Sequence, residues 1–187
     1  MKKAKKHIPN LLSLLRIAIT PCVILLLQQR TLSAWWFALV LFTIAVITDF
    51  YDGYFARKHS LISRTGNFLD PLADKILVLS MFGAFCLFGV CPVWLFVVIL
   101  IRELSVTLLR YVVESGGRQF RTSSLGKWKT VIQFIAIYVF FLSFGGLYSS
   151  DILNQIMIYL VVGSSIFSAL HYGYCNRSFL KGLSNAK

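Results

Sequence analysis

Residues 34–57 read AWWFALVLFTIAVITDFYDGYFAR. The first fifteen are apolar or carry only a hydroxyl. Two aspartates, Asp49 and Asp52, then arrive three positions apart, followed by Gly53, Ala56 and Arg57. Such a run is far longer than a strand, and it is long enough for a helix crossing a hydrocarbon core, which takes about 20 apolar residues. Comparable runs lie on both sides of it, so the candidate spans are about 10–29, 34–57, 70–90, 92–114, 124–148 and 152–174. Open strands cannot span lipid, and a closed barrel would show short alternating strands instead. The sequence predicts an all-α, polytopic integral membrane protein with six transmembrane helices. They form a single membrane domain over 1–187, led by a basic N-terminal segment, 1–9.

Composition agrees. The chain of 187 residues is 57% hydrophobic and 14% charged. Soluble domains are about a quarter charged, so disorder is excluded and the composition points away from an ordinary soluble fold. The first span follows Lys2, Lys3, Lys5 and Lys6, as a signal peptide would. Arg16 and Pro21 interrupt its apolar core, however, and Leu32-Ser33-Ala34 is a poor cleavage site. It reads as a retained span, bent at Pro21.

Charge orients the spans. The net charge is +12. Basic residues gather at the N-terminus, at Arg57, Lys58 and Arg64, at Arg118, Arg121, Lys127 and Lys129, and at Arg177, Lys181 and Lys187. The alternate connections carry only Arg30, no charge, and Asp151. By the positive-inside rule both termini are cytoplasmic, which requires an even number of spans. In a hydrophobic chain this excess of cations faces anionic headgroups, not nucleic acid. Cys22, Cys86, Cys91 and Cys175 have no C-x-x-C spacing and read as small buried hydrophobes. Nothing in the sequence requires a Cys86–Cys91 disulfide.

Four of the seven acids, Asp49, Asp52, Asp70 and Asp74, fall within 26 residues at the cytoplasmic ends of spans 2 and 3. An acid deep in a bilayer costs on the order of 3 kcal/mol, and four together repel one another. Asp49 and Asp52 share a helix face at i, i+3, and Gly53 and Ala56 extend that face without filling it. Asp70 and Asp74 share a face at i, i+4. Pro71 fits a first helical turn, and Gly66 sits in the connection between the spans. Oxygen ligands alone suit Mg²⁺ or Mn²⁺, whereas zinc would need His or Cys. His59 stands alone in a connection. Two ions held by aspartates recur in phosphoryl chemistry. A structural network with Arg57, Arg64 and Lys75 is the plain alternative, and a divalent-cation transporter the functional one. No acid continues a pathway through the outer half of the spans, which counts against transport.

The order Asp49-x₂-Asp52-Gly53-x₂-Ala56-Arg57-x₈-Gly66-x₃-Asp70-x₃-Asp74 resembles the CDP-alcohol phosphatidyltransferase signature at all eight fixed positions. The family moves a phosphatidyl or related group from a CDP-linked donor to an alcohol and releases CMP. The resemblance implies that Asp49, Asp52 and Asp70 hold two metal ions, with Asp74 as general base and further ligand. It implies that Gly53, Ala56 and Gly66 give the cytidine nucleotide room, with Arg57 at the nucleotide or its phosphates. It also implies a homodimer in the cell membrane, bacterial and inner, with its active site on the cytoplasmic side.

Ile8-Pro9-Asn10-Leu11-Leu12 with Arg16, Ile101-Arg102-Glu103, and Gly126-Lys127-Trp128-Lys129-Thr130 are similar to bacterial phosphatidylglycerophosphate synthases. That branch implies CDP-diacylglycerol as donor and sn-glycerol 3-phosphate as acceptor. Sibling acceptors are serine, inositol phosphate and phosphatidylglycerol. A phosphorylated acceptor needs cations, and Arg102, Arg110, Lys127 and Lys129 are the candidates. Interfacial anchoring is the alternative for the last three, and structural pairing for Arg102. Adjacent helical residues diverge, so Glu103 is expected to point away from Arg102, and each needs a partner of its own or lines a polar cavity. Asn10 either caps span 1 or reaches the nucleotide.

Overall fold

The computed structural model describes residues 8–59, 66–115, 124–147 and 151–176, with side chains described over 13–48, 72–115, 126–147 and 151–176. It contains α1 (Ile8–Gln28), α2 (Leu32–His59), α3 (Gly66–Leu87), α4 (Val93–Ser115), α5 (Ser124–Phe144) and α6 (Asp151–Cys175). Among the described residues there is no strand. Each helix coincides with one expected apolar run. The N-terminal lysines, Arg64, Arg118, Arg121 and the basic C-terminal tail lie outside the described residues.

Local chemistry sets the helix ends. Thr31 caps α2: its hydroxyl accepts from the Ala34 N–H at 3.3 Å and its carbonyl from the Trp35 N–H at 3.0 Å. Beyond α3, Gly89 adopts φ +80°, the Val90 N–H bonds the Phe85 carbonyl at 2.9 Å, and the Gly89 N–H bonds that of Cys86 at 3.1 Å. Gly146 repeats this at φ +71°, with Leu147 N–H to Leu142 and Gly146 N–H to Ser143, both at 3.1 Å. Both are Schellman caps that need a left-handed residue. The second cap corrects the expected fifth span: α5 ends at Phe144, not at 148. Two further corrections fall at the α2–α3 junction. Gly66 opens α3 instead of sitting in a connection, which places Pro71 one turn further in, and His59 closes α2.

The chain divides into two compact units, Met1–Ala84 and Phe85–Lys187. In the first, α1 and α2 pack together. α2 buries Ala34, Trp35, Ala38, Phe42 and Ala45, a single helical stripe. α1 buries Val23 and Leu27 together with Ser13, Arg16 and Thr20. It runs through Pro21 as one element, and the Thr20 hydroxyl donates to the Arg16 carbonyl at 2.9 Å.

In the second unit α4 and α5 both pack on α6. Phe85 meets Phe140 and Phe141 edge-on at 5.9 and 5.1 Å. α6 buries Ile158 and Val161 together with Ser165 and Ser168, and exposes Ile152, Phe167 and Leu170. Large apolar side chains turned outward suit a helix whose solvent is lipid.

Among the described residues, two helical segments, Gly126–Phe144 and Asp151–Cys175, are long and apolar enough to cross a membrane, and Ser13–Gln28 and Leu32–Thr48 are shorter apolar helices. α4 carries Arg102, Glu103, Arg110 and Glu114, which lowers its apolar character. Of the cysteines, Cys91 is buried, Cys86 and Cys175 are half-buried and Cys22 is exposed, so the expectation of four buried thiols is corrected at Cys22. Cys86 and Cys91 are free thiols with sulfurs 3.1 Å apart.

Candidate active site

Two groups of residues bear on chemistry, one in each unit. In the first unit, Asp49, Asp52, Gly53, Ala56 and Arg57 all stand on the continuous helix α2, and Gly66, Asp70 and Asp74 on α3. Helical backbone over both stretches places Asp49 and Asp52 on one face of α2, and Asp70 and Asp74 on one face of α3. Face-sharing spacings of this kind suit a divalent cation. Asp74 is half-buried. The other side chains of this set, and that of Asn10 on α1, lie outside the described residues. Among the described residues no three His, Cys, Asp or Glu gather into a cluster.

The second unit holds a buried polar network. Arg102 and Glu103 on α4 and Lys129 on α5 are 9%, 6% and 6% exposed, values at which an ionised side chain needs partners. Arg102 Nη1 donates to Glu103 Oε1 at 2.9 Å, and Lys129 Nζ donates to that same oxygen. Arg102 Nη2 donates to the Ser168 hydroxyl at 2.8 Å, and Ser168 donates in turn to the Ser165 carbonyl at 3.0 Å. The Arg102 guanidinium also lies over the Tyr172 ring, 5.8 Å from its centroid. Arg102 and Glu103 thus each have a partner of their own, Ser168 and Lys129, while the expectation that the two point apart is corrected, since they also bond each other. Their Cα–Cβ directions diverge by about 100°, but both side chains are long enough to meet beside the helix.

Two cations share one carboxylate in this trio, so the trio is net positive. Arg102 Nε, Gln133 Nε2 and Ser165 Oγ are buried with no hydrogen-bond partner among the described residues. Each such atom could be satisfied by water or by a polar guest. Arg110 and Lys127 stand elsewhere. Arg110 is exposed and pairs with Glu114 at 2.8 Å, and Lys127 is exposed on α5. Of the four cations expected at the acceptor, the structure brings together Arg102 and Lys129 only.

Sequence reasoning passed over Ser165, Ser168 and Tyr172, and also Gln133. Each left a trace: Ser165, Ser168 and Tyr172 recur at i, i+3, i+7 on an apolar helix, and Gln133 is four residues beyond Lys129. Arg16, which the sequence shows as an interruption of the first span and as part of a motif, is fully buried in the first unit.

Comparison with known proteins decides the family. Residues 6–167 match the CDP-alcohol phosphatidyltransferase family. The chain belongs to that family. It is 37% identical over 143 residues to the CDP-diacylglycerol–glycerol-3-phosphate 3-phosphatidyltransferase of Bacillus subtilis, covering 70% of this chain and 74% of the relative. It is 37% identical over 147 residues to a probable phosphatidylglycerophosphate synthase of Mycobacterium tuberculosis, covering 75% and 68%. A Rickettsia typhi protein with the same name as the Bacillus one is 31% identical over 179 residues, covering 89% and 95%. The family is one of divalent-metal-dependent membrane transferases, in agreement with the oxygen-only donor set and the apolar helices.

Proposed function

We propose that this transferase moves the phosphatidyl group of CDP-diacylglycerol to sn-glycerol 3-phosphate, giving phosphatidylglycerophosphate and CMP. The observation that carries the choice of acceptor is the buried Arg102–Glu103–Lys129 trio with its net positive charge. An acceptor that is already phosphorylated offers a dianion for such a trio to hold. Serine offers only a carboxylate whose charge is offset by its own ammonium group, and so meets the trio less well. The names of the relatives support the same donor and acceptor.

In this reading Asp49, Asp52, Asp70 and Asp74 hold two ions, Mg²⁺ or Mn²⁺, which when bound neutralise the donor diphosphate and the charge developing on CMP. Gly53, Ala56 and Gly66 leave room for the cytidine, Arg57 lies at the nucleotide, and Asn10 reaches the same region. Asp74 accepts the proton of the acceptor hydroxyl as its oxygen attacks the phosphorus that bears the diacylglycerol. The bond from that phosphorus to the bridging oxygen breaks, and CMP leaves with the electron pair. Arg102 and Lys129 hold the acceptor's phosphate, while Arg110 and Lys127, on the exposed surface, attract anionic substrate and headgroups. The six helices span the bacterial inner membrane with both termini cytoplasmic, the aspartates open to the cytoplasmic side, and the enzyme is a homodimer.

The acceptor assignment is tested by Arg102→Gln. It should raise the KM for glycerol 3-phosphate tenfold or more, since charge-assisted bonds contribute roughly 1.5–3 kcal/mol each, and it should leave the KM for CDP-diacylglycerol unchanged. A variant that loses only thermal stability would make Arg102 a structural partner. The donor cleft is tested by Ala56→Leu. It should block CDP-diacylglycerol binding while the protein stays folded. Lost stability with intact donor binding would mean that Ala56 packs against another helix, where overfilling costs typically 1–3 kcal/mol.

A further inference from the structure

Gly126 stands inside α5 without a left-handed backbone, so no φ requirement explains a glycine there. Glycine is also a poorer helix former than alanine. Space explains it. A methyl group at Gly126 would overlap the Tyr172 hydroxyl and come within 3.2 Å of Tyr172 Cζ and 3.4 Å of Cε2. The phenol is rigid from Cβ outward, so its oxygen cannot retreat without moving the ring. That ring is the surface on which the Arg102 guanidinium lies. Tyr172 is thus held at its far end by the gap at Gly126, and one ring face lies against Arg102.

We propose that Tyr172, seated in the gap left by Gly126, is a positioning residue that fixes the Arg102 guanidinium for the acceptor's phosphate. The inference rests on the reading of Arg102 as a phosphate ligand. An aromatic face suits the task because it orients a cation without neutralising it. A second carboxylate in that place would cancel the charge the phosphate must meet. Ser168 fixes Nη2 and Glu103 fixes Nη1, so the ring sets the remaining freedom, the tilt of the guanidinium plane.

The test is steady-state kinetics on four variants of the full-length protein, with Arg102→Gln run in parallel. Gly126→Ala displaces the ring and should raise the KM for glycerol 3-phosphate by roughly threefold to tenfold. Its kcat and its KM for CDP-diacylglycerol should stay at the wild-type values. Tyr172→Leu should do the same, and it carries the test should Gly126→Ala not fold. Tyr172→Phe keeps the ring face and should behave as wild type. In Gly126→Ala/Tyr172→Phe the overlapping oxygen is gone, so acceptor affinity should largely return, whereas simple helix packing would couple the two positions in stability and not in the acceptor KM.

Should Gly126→Ala and Tyr172→Leu lower thermal stability while leaving the acceptor KM alone, or raise both KM values equally, the proposal is overturned. With Arg102→Gln raising the acceptor KM, that result removes the positioning role only. An Arg102→Gln enzyme with unchanged acceptor KM removes the phosphate reading and this inference together.

Discussion

Asp49→Asn and Asp70→Asn should each lower CMP release by about a thousandfold or more, because a metal ligand that supplies several kcal/mol in the transition state loses its charge. The change is nearly isosteric, so the variants should still insert and purify as folded protein. Both residues stand on continuous helix, Asp49 on α2 and Asp70 on α3, where an amide disturbs no helical hydrogen bond. EDTA should give the same loss in the unaltered enzyme, and Mg²⁺ or Mn²⁺ should restore it. An enzyme fully active after chelation would end the metal assignment.

Asp74→Asn should lower kcat by roughly a hundredfold to ten-thousandfold, the range a positioned general base contributes. Binding of CDP-diacylglycerol should change by far less, since the base acts on the acceptor's proton in the transition state. Equilibrium binding of the donor and single-turnover CMP release, measured on one preparation, separate the two. Donor affinity that falls in step with turnover would make Asp74 chiefly a ligand, and the base would have to be sought elsewhere.

The sequence made the helices legible because lipid leaves the backbone few options: long apolar runs must satisfy their hydrogen bonds internally. Their ends were less so. The end of α5 was placed at 148 because its apolar character continues beyond Phe144, yet Gly146 can take a left-handed turn and does. The sequence puts Gly66 in the connection and starts the third span at 70, yet the helix begins at Gly66, where tertiary context overrides so weak a preference.

Of the aspartate set, the helical backbone that sets its spacing was legible. The buried polar network was legible only in part. Lys127 and Lys129 are about 200° apart around a helix, so one of them had to turn away, and Lys127 does. The bond between Arg102 and Glu103 escaped a rule about Cβ directions that ignores side-chain reach. Ser168 and Tyr172 lie 66 and 70 positions from Arg102, and only the packing of α4 against α6 unites them.

The most direct test is CMP release by the purified protein in lipid–detergent micelles containing CDP-diacylglycerol. A divalent cation is supplied with glycerol 3-phosphate, glycerol, serine, inositol phosphate or phosphatidylglycerol in turn. The account predicts CMP in equal amount to phosphatidylglycerophosphate, formed only when glycerol 3-phosphate and the metal are both present. Equal CMP release with serine or glycerol would contradict the acceptor. Folded protein that releases no CMP with any acceptor, yet carries the divalent cation into sealed vesicles, would contradict the transferase itself.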